Sequence, residues 1–167
     1  DLEAVERNVQ RMADYARNAG VQLRPHAKIY KATPAFAWMQ LRAGAIGLTV
    51  AKLAEAEVLA AGGIRDILIA NQVVGERKVR RLVGLAARTD VIVAVDSLDN
   101  AAAIARAATQ RDVCVGVLVE VNIGNNRCGV EPRRHHEHRQ RHGHRASRHA
   151  EVPRLHEGAR CRAPQRR

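Results

Sequence analysis

The chain has 167 residues and a net charge of +11, from 28 Lys and Arg against 17 Asp and Glu. That length suits one domain with a hydrophobic core, but residues 132–167 hold 11 of the basic residues, only 3 of the acidic ones and seven of the eight His. Residues 1–131 are therefore close to neutral, which excludes a nucleic-acid role for that part argued from net charge. No stretch approaches the roughly 20 apolar residues of a membrane helix, and no basic-then-apolar secretion signal opens the chain. The sequence starts at Asp1 without Met, so further N-terminal sequence is expected. Cys114, Cys128 and Cys161 form no CxxC pair and are odd in number, which argues against a disulfide framework and for the cytoplasm.

The first 18 residues place Leu2, Val5, Val9, Met12 and Ala16 at steps of three and four, the spacing of an amphipathic helix. Apolar, β-branched runs then begin near Val21, Ala45, Ile67, Val91 and Val113, roughly one strand–helix unit apart. Helical patterns fill 52–61, stopped by Gly62-Gly63, then 75–88, and 97–108 with Ser97 or Asp99 as cap. Runs such as Ile67-Leu68-Ile69-Ala70 and Val91-Ile92-Val93-Ala94-Val95 suit strands buried on both faces. Five strand–helix starts predict an α/β fold with a parallel sheet, open or part of a barrel.

Function in such sheets gathers at the C-terminal ends of the strands. The first predicted strand ends Arg24-Pro25-His26-Ala27-Lys28-Ile29-Tyr30-Lys31. Strand alternation would put Arg24, His26 and Lys28 on one face. Inside a barrel those groups would need an anionic partner, such as a cofactor bearing phosphate, phenolate or carboxylate; at a frayed end they would be solvated. The third and fourth strands end in Asn71-Gln72 and Asp96-Ser97, which could line a site or cap helices. The fifth leads through Glu120 and Asn122 into a glycine-bracketed turn that carries Arg127, a fork for an anionic oxygen or a solvated loop residue.

Taken together, Arg24-Pro25-His26-Ala27-Lys28, Ala43-Gly44-Ala45-Ile46-Gly47, Lys52-Leu53-Ala54-Glu55-Ala56-Glu57, Asp66-Ile67-Leu68-Ile69-Ala70-Asn71 and Asn122-Ile123-Gly124-Asn125-Asn126-Arg127-Cys128-Gly129 resemble the D-threonine aldolase and D-serine dehydratase group. These are pyridoxal 5′-phosphate enzymes with an alanine-racemase-like N-terminal barrel. The resemblance covers residues 1–131. It implies the N-terminal part of a TIM-like (β/α) barrel, with about five strand–helix units where a whole barrel needs about 250 residues. It makes Lys28 the catalytic Schiff-base lysine and Arg127 the residue that hydrogen-bonds the cofactor's phenolic oxygen, with His26, Tyr30, Lys31 and Asn71 beside the cofactor. The chain departs from the group at Ile29 and Tyr30, where Thr and His usually follow the lysine, and at Asn125, where Met is usual; these positions bear on substrate choice and cofactor grip rather than on the aldimine chemistry of Lys28.

The implied activity is lyase chemistry on D-configured β-hydroxy amino acids: retro-aldol cleavage of the D-threonine aldolase or 3-hydroxy-D-aspartate aldolase kind. Dehydration of the D-serine dehydratase kind and racemisation are the alternatives. The resemblance also implies a divalent metal (Mn, Mg or Zn) whose ligands lie outside residues 1–131, and a homodimeric whole protein. Residues 132–167 have neither helical nor strand period. They read as an out-of-frame stretch of a GC-rich gene or as a basic tail that binds metal or polyanions, and in either case as disordered. The chain as given is expected to be an inactive fragment, or outside enzymes a cofactor-carrying one.

Overall fold

Apolar β-branched runs and Ala/Leu-rich runs alternate along the chain, and most become the element that their pattern favours. The computed structural model describes residues 1–132. In chain order these form α1 (Leu2–Asn18), a single 3-10 turn (Ala27–Tyr30), α2 (Pro34–Arg42), β1 (Leu48–Val50), α3 (Leu53–Ala61), β2 (Asp66–Gln72), α4 (Glu76–Ala86), β3 (Asp90–Val95), α5 (Leu98–Gln110) and β4 (Gly116–Val119). The four strands make one parallel sheet in the order β1-β2-β3-β4. Each neighbouring pair is joined through a helix, the repeated βαβ crossover of a barrel wall. No helix of the described residues is long and apolar enough to cross a membrane.

The two faces of the sheet differ sharply. Leu48, Val50, Ile67, Ile69, Val91, Val93 and Val95 are all at most 4% exposed and pack in one core with Leu59, Leu82, Leu85 and Ile104 of the helices. Full burial of each large side chain contributes about 1.5–3 kcal/mol, so this side holds the fold. The other face alternates with it: Leu68 and Ile92 are half-buried, and Leu118 is 49% exposed. On the helix side of β4, Val117 and Val119 are 50% and 66% exposed, since no described helix follows that strand.

Two sequence-based expectations need correction. The strand expected from Val21 is reduced to a single bridge, His26 with Thr49, supported by Ile46 N–H to the Leu23 carbonyl and Thr49 N–H to the Pro25 carbonyl. The ladder therefore has four strands, not five. Between it and β1 lies α2, which the patterning missed. Thr33 stands at its N-cap and Pro34 at its first position, where a missing N–H costs nothing. The expectations placed on residues 133–167 lie outside the described residues.

Arg24 also departs from expectation. Its guanidinium meets the Asp66 carboxylate through two parallel bonds of 2.5 and 3.0 Å, with the side chains 18% and 37% exposed. Asp66 opens β2, so this fork lies at the N-terminal ends of the strands, and its anion is supplied by the protein. Gly47 makes the room: a Cβ there would lie 2.6 Å from the Asp66 carbonyl oxygen and collide with the Arg24 guanidinium. We predict that Gly47→Ala lowers stability by about 1–3 kcal/mol through overpacking, measured as a drop in urea midpoint. An unchanged midpoint would show that the fork is not tightly held.

Candidate active site

Lys28 leaves the strand and enters the 3-10 turn Ala27–Tyr30, which follows directly on the His26–Thr49 bridge. His26 caps that turn: its Nδ1 accepts from the Lys28 N–H at 3.2 Å. An accepting Nδ1 fixes the neutral tautomer with the proton on Nε2. Ala27 beneath is fully buried, whereas Lys28 is exposed. The turn ends on two successive left-handed residues, Lys31 (φ 55°) and Ala32 (φ 56°). Each non-glycine residue held there costs about 1–2 kcal/mol, and Ala32 is fully buried with its N–H bound to the Ala27 carbonyl at 3.0 Å.

The C-terminal end of β2 carries a bulge. Ile69 pairs with Val93, yet the next partner of β3, Ala94, is met by Gln72. The extra residues, Ala70 and Asn71, are exposed, and the Asn71 side chain only accepts from the neighbouring Gln72 N–H. Bulges re-aim side chains at strand ends. Here the shift lets Gln72 Nε2 donate to Glu120 Oε2 at 2.7 Å across the intervening strand. Glu120 also accepts from the Cys128 thiol at 2.9 Å.

Residues 122–131 fold back over the same strand ends. The Gly129 N–H reaches the Asp96 carboxylate at 3.3 Å, Val130 N–H the Glu120 carbonyl at 2.8 Å, and Val121 bridges Val130. Gly129 (φ 99°) is required there, because a Cβ would stand 2.7 Å from the Asn122 nitrogen. Arg127 rides exposed on this loop.

The expected site residues are thus not one cluster of contacts. Lys28 and His26 adjoin. Tyr30 is turned toward α2, where its hydroxyl donates to Gln40 Oε1 at 2.7 Å and its ring packs on Phe36. Burial pushes the Tyr30 phenol up to about 12. Asn71 stays in the bulge, and Gln72 takes the inward position in its place. Arg127 is carried by the loop across the ends of β3 and β4. Ser97 is the cap of α5, accepting from the Asn100 N–H, while Asp96 serves the loop. Sequence reasoning named Asn71-Gln72 together without separating Gln72 as the reaching residue, and missed Cys128 as a partner of Glu120; both depend on pairings between distant residues that no local pattern reports.

Burial and, after it, the Lys28 ammonium hold the His26 imidazole below its ordinary value, against an upward pull from Glu55. Unfolded His26 then takes up a proton at higher pH than folded His26. The stability tied to it is complete above the ordinary value of 6.5 and is lost as pH falls through the folded value. We predict that Lys28→Met moves the His26 titration upward in imidazole NMR, while an unmoved midpoint would break the coupling.

Comparison with known proteins agrees with this architecture. The chain is 37% identical over 131 residues to 3-hydroxy-D-aspartate aldolase of Paracoccus denitrificans, covering 78% of this chain and 34% of that protein. It is 42% identical over 130 residues to D-threonine aldolase of Arthrobacter sp, with the same shares covered. The crystal structure of D-threonine aldolase from Filomicrobium marinum superposes with a TM-score of 0.75 at 46% identity, over 79% of this chain and 36% of that one. The chain thus spans about a third of the length of these relatives. Residues 1–152 match the family described as alanine racemase, N-terminal domain. The chain belongs to the alanine racemase N-terminal domain family.

Proposed function

We propose that residues 1–131 are the cofactor-anchoring part of a pyridoxal 5′-phosphate-dependent lyase that cleaves D-configured β-hydroxy amino acids, of the D-threonine or 3-hydroxy-D-aspartate class, into glycine and an aldehyde. The observation that carries this is Lys28: an exposed amine in a braced turn at the C-terminal ends of a parallel sheet, with a neutral imidazole beside it. The relatives named above supply the substrate class.

The donor set fits the aldehyde end of that cofactor. Lys28 Nζ is the primary amine that attaches it. When bound, pyridoxal phosphate supplies an electron sink for the pair released from a broken bond at Cα. His26, with Nδ1 engaged by the Lys28 N–H, keeps its Nε2 proton and remains uncharged next to the amine. Arg127 offers a planar, permanently charged fork to an anionic ring oxygen. The half-buried sheet face bearing Leu68 and Ile92 offers apolar surface beside the strand ends. Among the described residues, no group of three His, Cys, Asp or Glu is arranged to hold a metal. We assign the grip on the phosphate, and the site of any metal that would polarise the β-hydroxyl, to the part of the relatives that this chain does not span. Within the described residues, the barrel part runs to Glu131.

Borohydride reduction of the chain with pyridoxal phosphate is expected to label Lys28, and Lys28→Ala to abolish that label without unfolding the protein. Label on Lys31 or Lys52 with Lys28 bare would overturn the assignment. With D-threonine or D-serine, pyridoxal phosphate and Mn²⁺ or Zn²⁺, the 167-residue chain should release no glycine, aldehyde or pyruvate, because misplacing reacting groups by about 1 Å already costs about 10²-fold. Turnover that vanishes in Lys28→Ala would show that this part suffices.

A further inference from the structure

Arg127 can act on a cofactor only if something holds the loop that carries it, and the loop has no helix or strand of its own beyond the Val121–Val130 bridge. The structure assigns that role to Asn122, which we propose is the positioning residue that closes the 122–131 loop and holds Arg127 over the strand ends. This rests on the cofactor role proposed for Arg127.

The Asn122 side-chain amide uses every hydrogen-bonding valence it has. Its Oδ1 accepts from the Gly124 N–H at 3.0 Å and the Asn126 N–H at 3.1 Å. Its Nδ2 donates to Asn126 Oδ1 at 2.9 Å and to Glu131 Oε1 at 2.6 Å. Its own N–H donates to the Val130 carbonyl at 2.9 Å. One side chain therefore binds the start, the tip and the end of the loop. The tip needs help, since Gly124 (φ 120°) and Asn126 (φ 50°) both lie in the left-handed half of backbone space. The two accepted N–H bonds fix that geometry immediately before Arg127. After Arg127, the Cys128 thiol and Gly129 N–H are held by Glu120 and Asp96. The arginine is thus fastened on both sides while its own guanidinium stays exposed.

Each half of the amide makes a separable demand. Asp in its place would keep the oxygen that accepts from Gly124 and Asn126, but would lose the donor and set a carboxylate against Glu131. Ala would lose both.

Two readouts test this on the 167-residue chain: alkylation of Cys128 by a maleimide, mapped by peptide mass, and the dissociation constant for pyridoxal phosphate from absorbance titration. Thermal midpoints should confirm that each variant stays folded. Asn122→Ala should speed Cys128 alkylation by about tenfold or more and weaken pyridoxal phosphate to the same extent as Arg127→Ala, about tenfold for one lost charge-assisted bond. The double variant should bind no worse than either single one. Asn122→Asp should open the loop in part, and adding Glu131→Gln should close it again. Cys128 as slow in Asn122→Ala as in the parent, or cofactor binding untouched by Asn122→Ala where Arg127→Ala weakens it, would overturn the proposal. If Arg127→Ala binds like the parent, Arg127 has no cofactor role and the proposal falls with it; the alkylation rates still show separately whether Asn122 closes the loop.

Discussion

One-sided burial in a parallel sheet governs the rest of this molecule. Parallel strands are stable when both faces are covered, yet the helices here bury only the Leu48, Ile67 and Val93 side to near completion. The opposite face keeps Leu68 and Ile92 half-buried, and the β4 edge leaves Val117, Leu118 and Val119 exposed. That asymmetry separates the helix-covered face from the face that a barrel would enclose, and in such folds sites gather at the C-terminal ends of the strands. Everything proposed for Lys28, Gln72 and Arg127 follows from standing at those ends.

The two ends of the sheet are held by devices that work in opposite senses. At the N-terminal ends, the Arg24–Asp66 fork over Gly47 ties the short 21–26 segment to β2. That segment has a single bridge of its own, so the fork, half shielded from water, supplements the few backbone bonds that anchor the lysine-bearing turn. At the C-terminal ends, regular pairing is broken on purpose. The β2 bulge and the glycine-bracketed loop trade ladder bonds for side-chain bonds through Gln72, Glu120, Asp96 and Asn122. The first device stabilises; the second shapes.

Much of this was legible in the residues. The helical period of 1–18 and the apolar runs at Ile67 and Val91 name their elements because burial there is local and continuous. The turn-forming Gly124, Asn126 and Gly129 likewise mark a loop. The first strand was not legible as it stands: its alternation looks regular, but only His26 pairs, and Lys28 escapes into a turn. Helix α2 escaped because Pro34-Ala35-Phe36-Ala37-Trp38-Met39 carries apolar residues on all sides, and only Ala37 is buried. Arg24 read as a cation awaiting a ligand because its true partner lies 42 residues away. Asn71 and Gln72 could not be told apart without the bulge, which shifts the register by pairing rather than by composition.

The most direct test of the central claim, that the C-terminal strand ends form the cofactor mouth, is an amide chemical-shift map of the labelled chain titrated with pyridoxal phosphate. Shifts should gather at residues 26–30, 70–72, 94–97 and 120–130, with residues 46–48, 64–67 and 89–91 at the opposite ends unmoved. Shifts concentrated at those opposite ends, or in the groove between α1 and α2 lined by Val9, Met39 and Arg42, would contradict it.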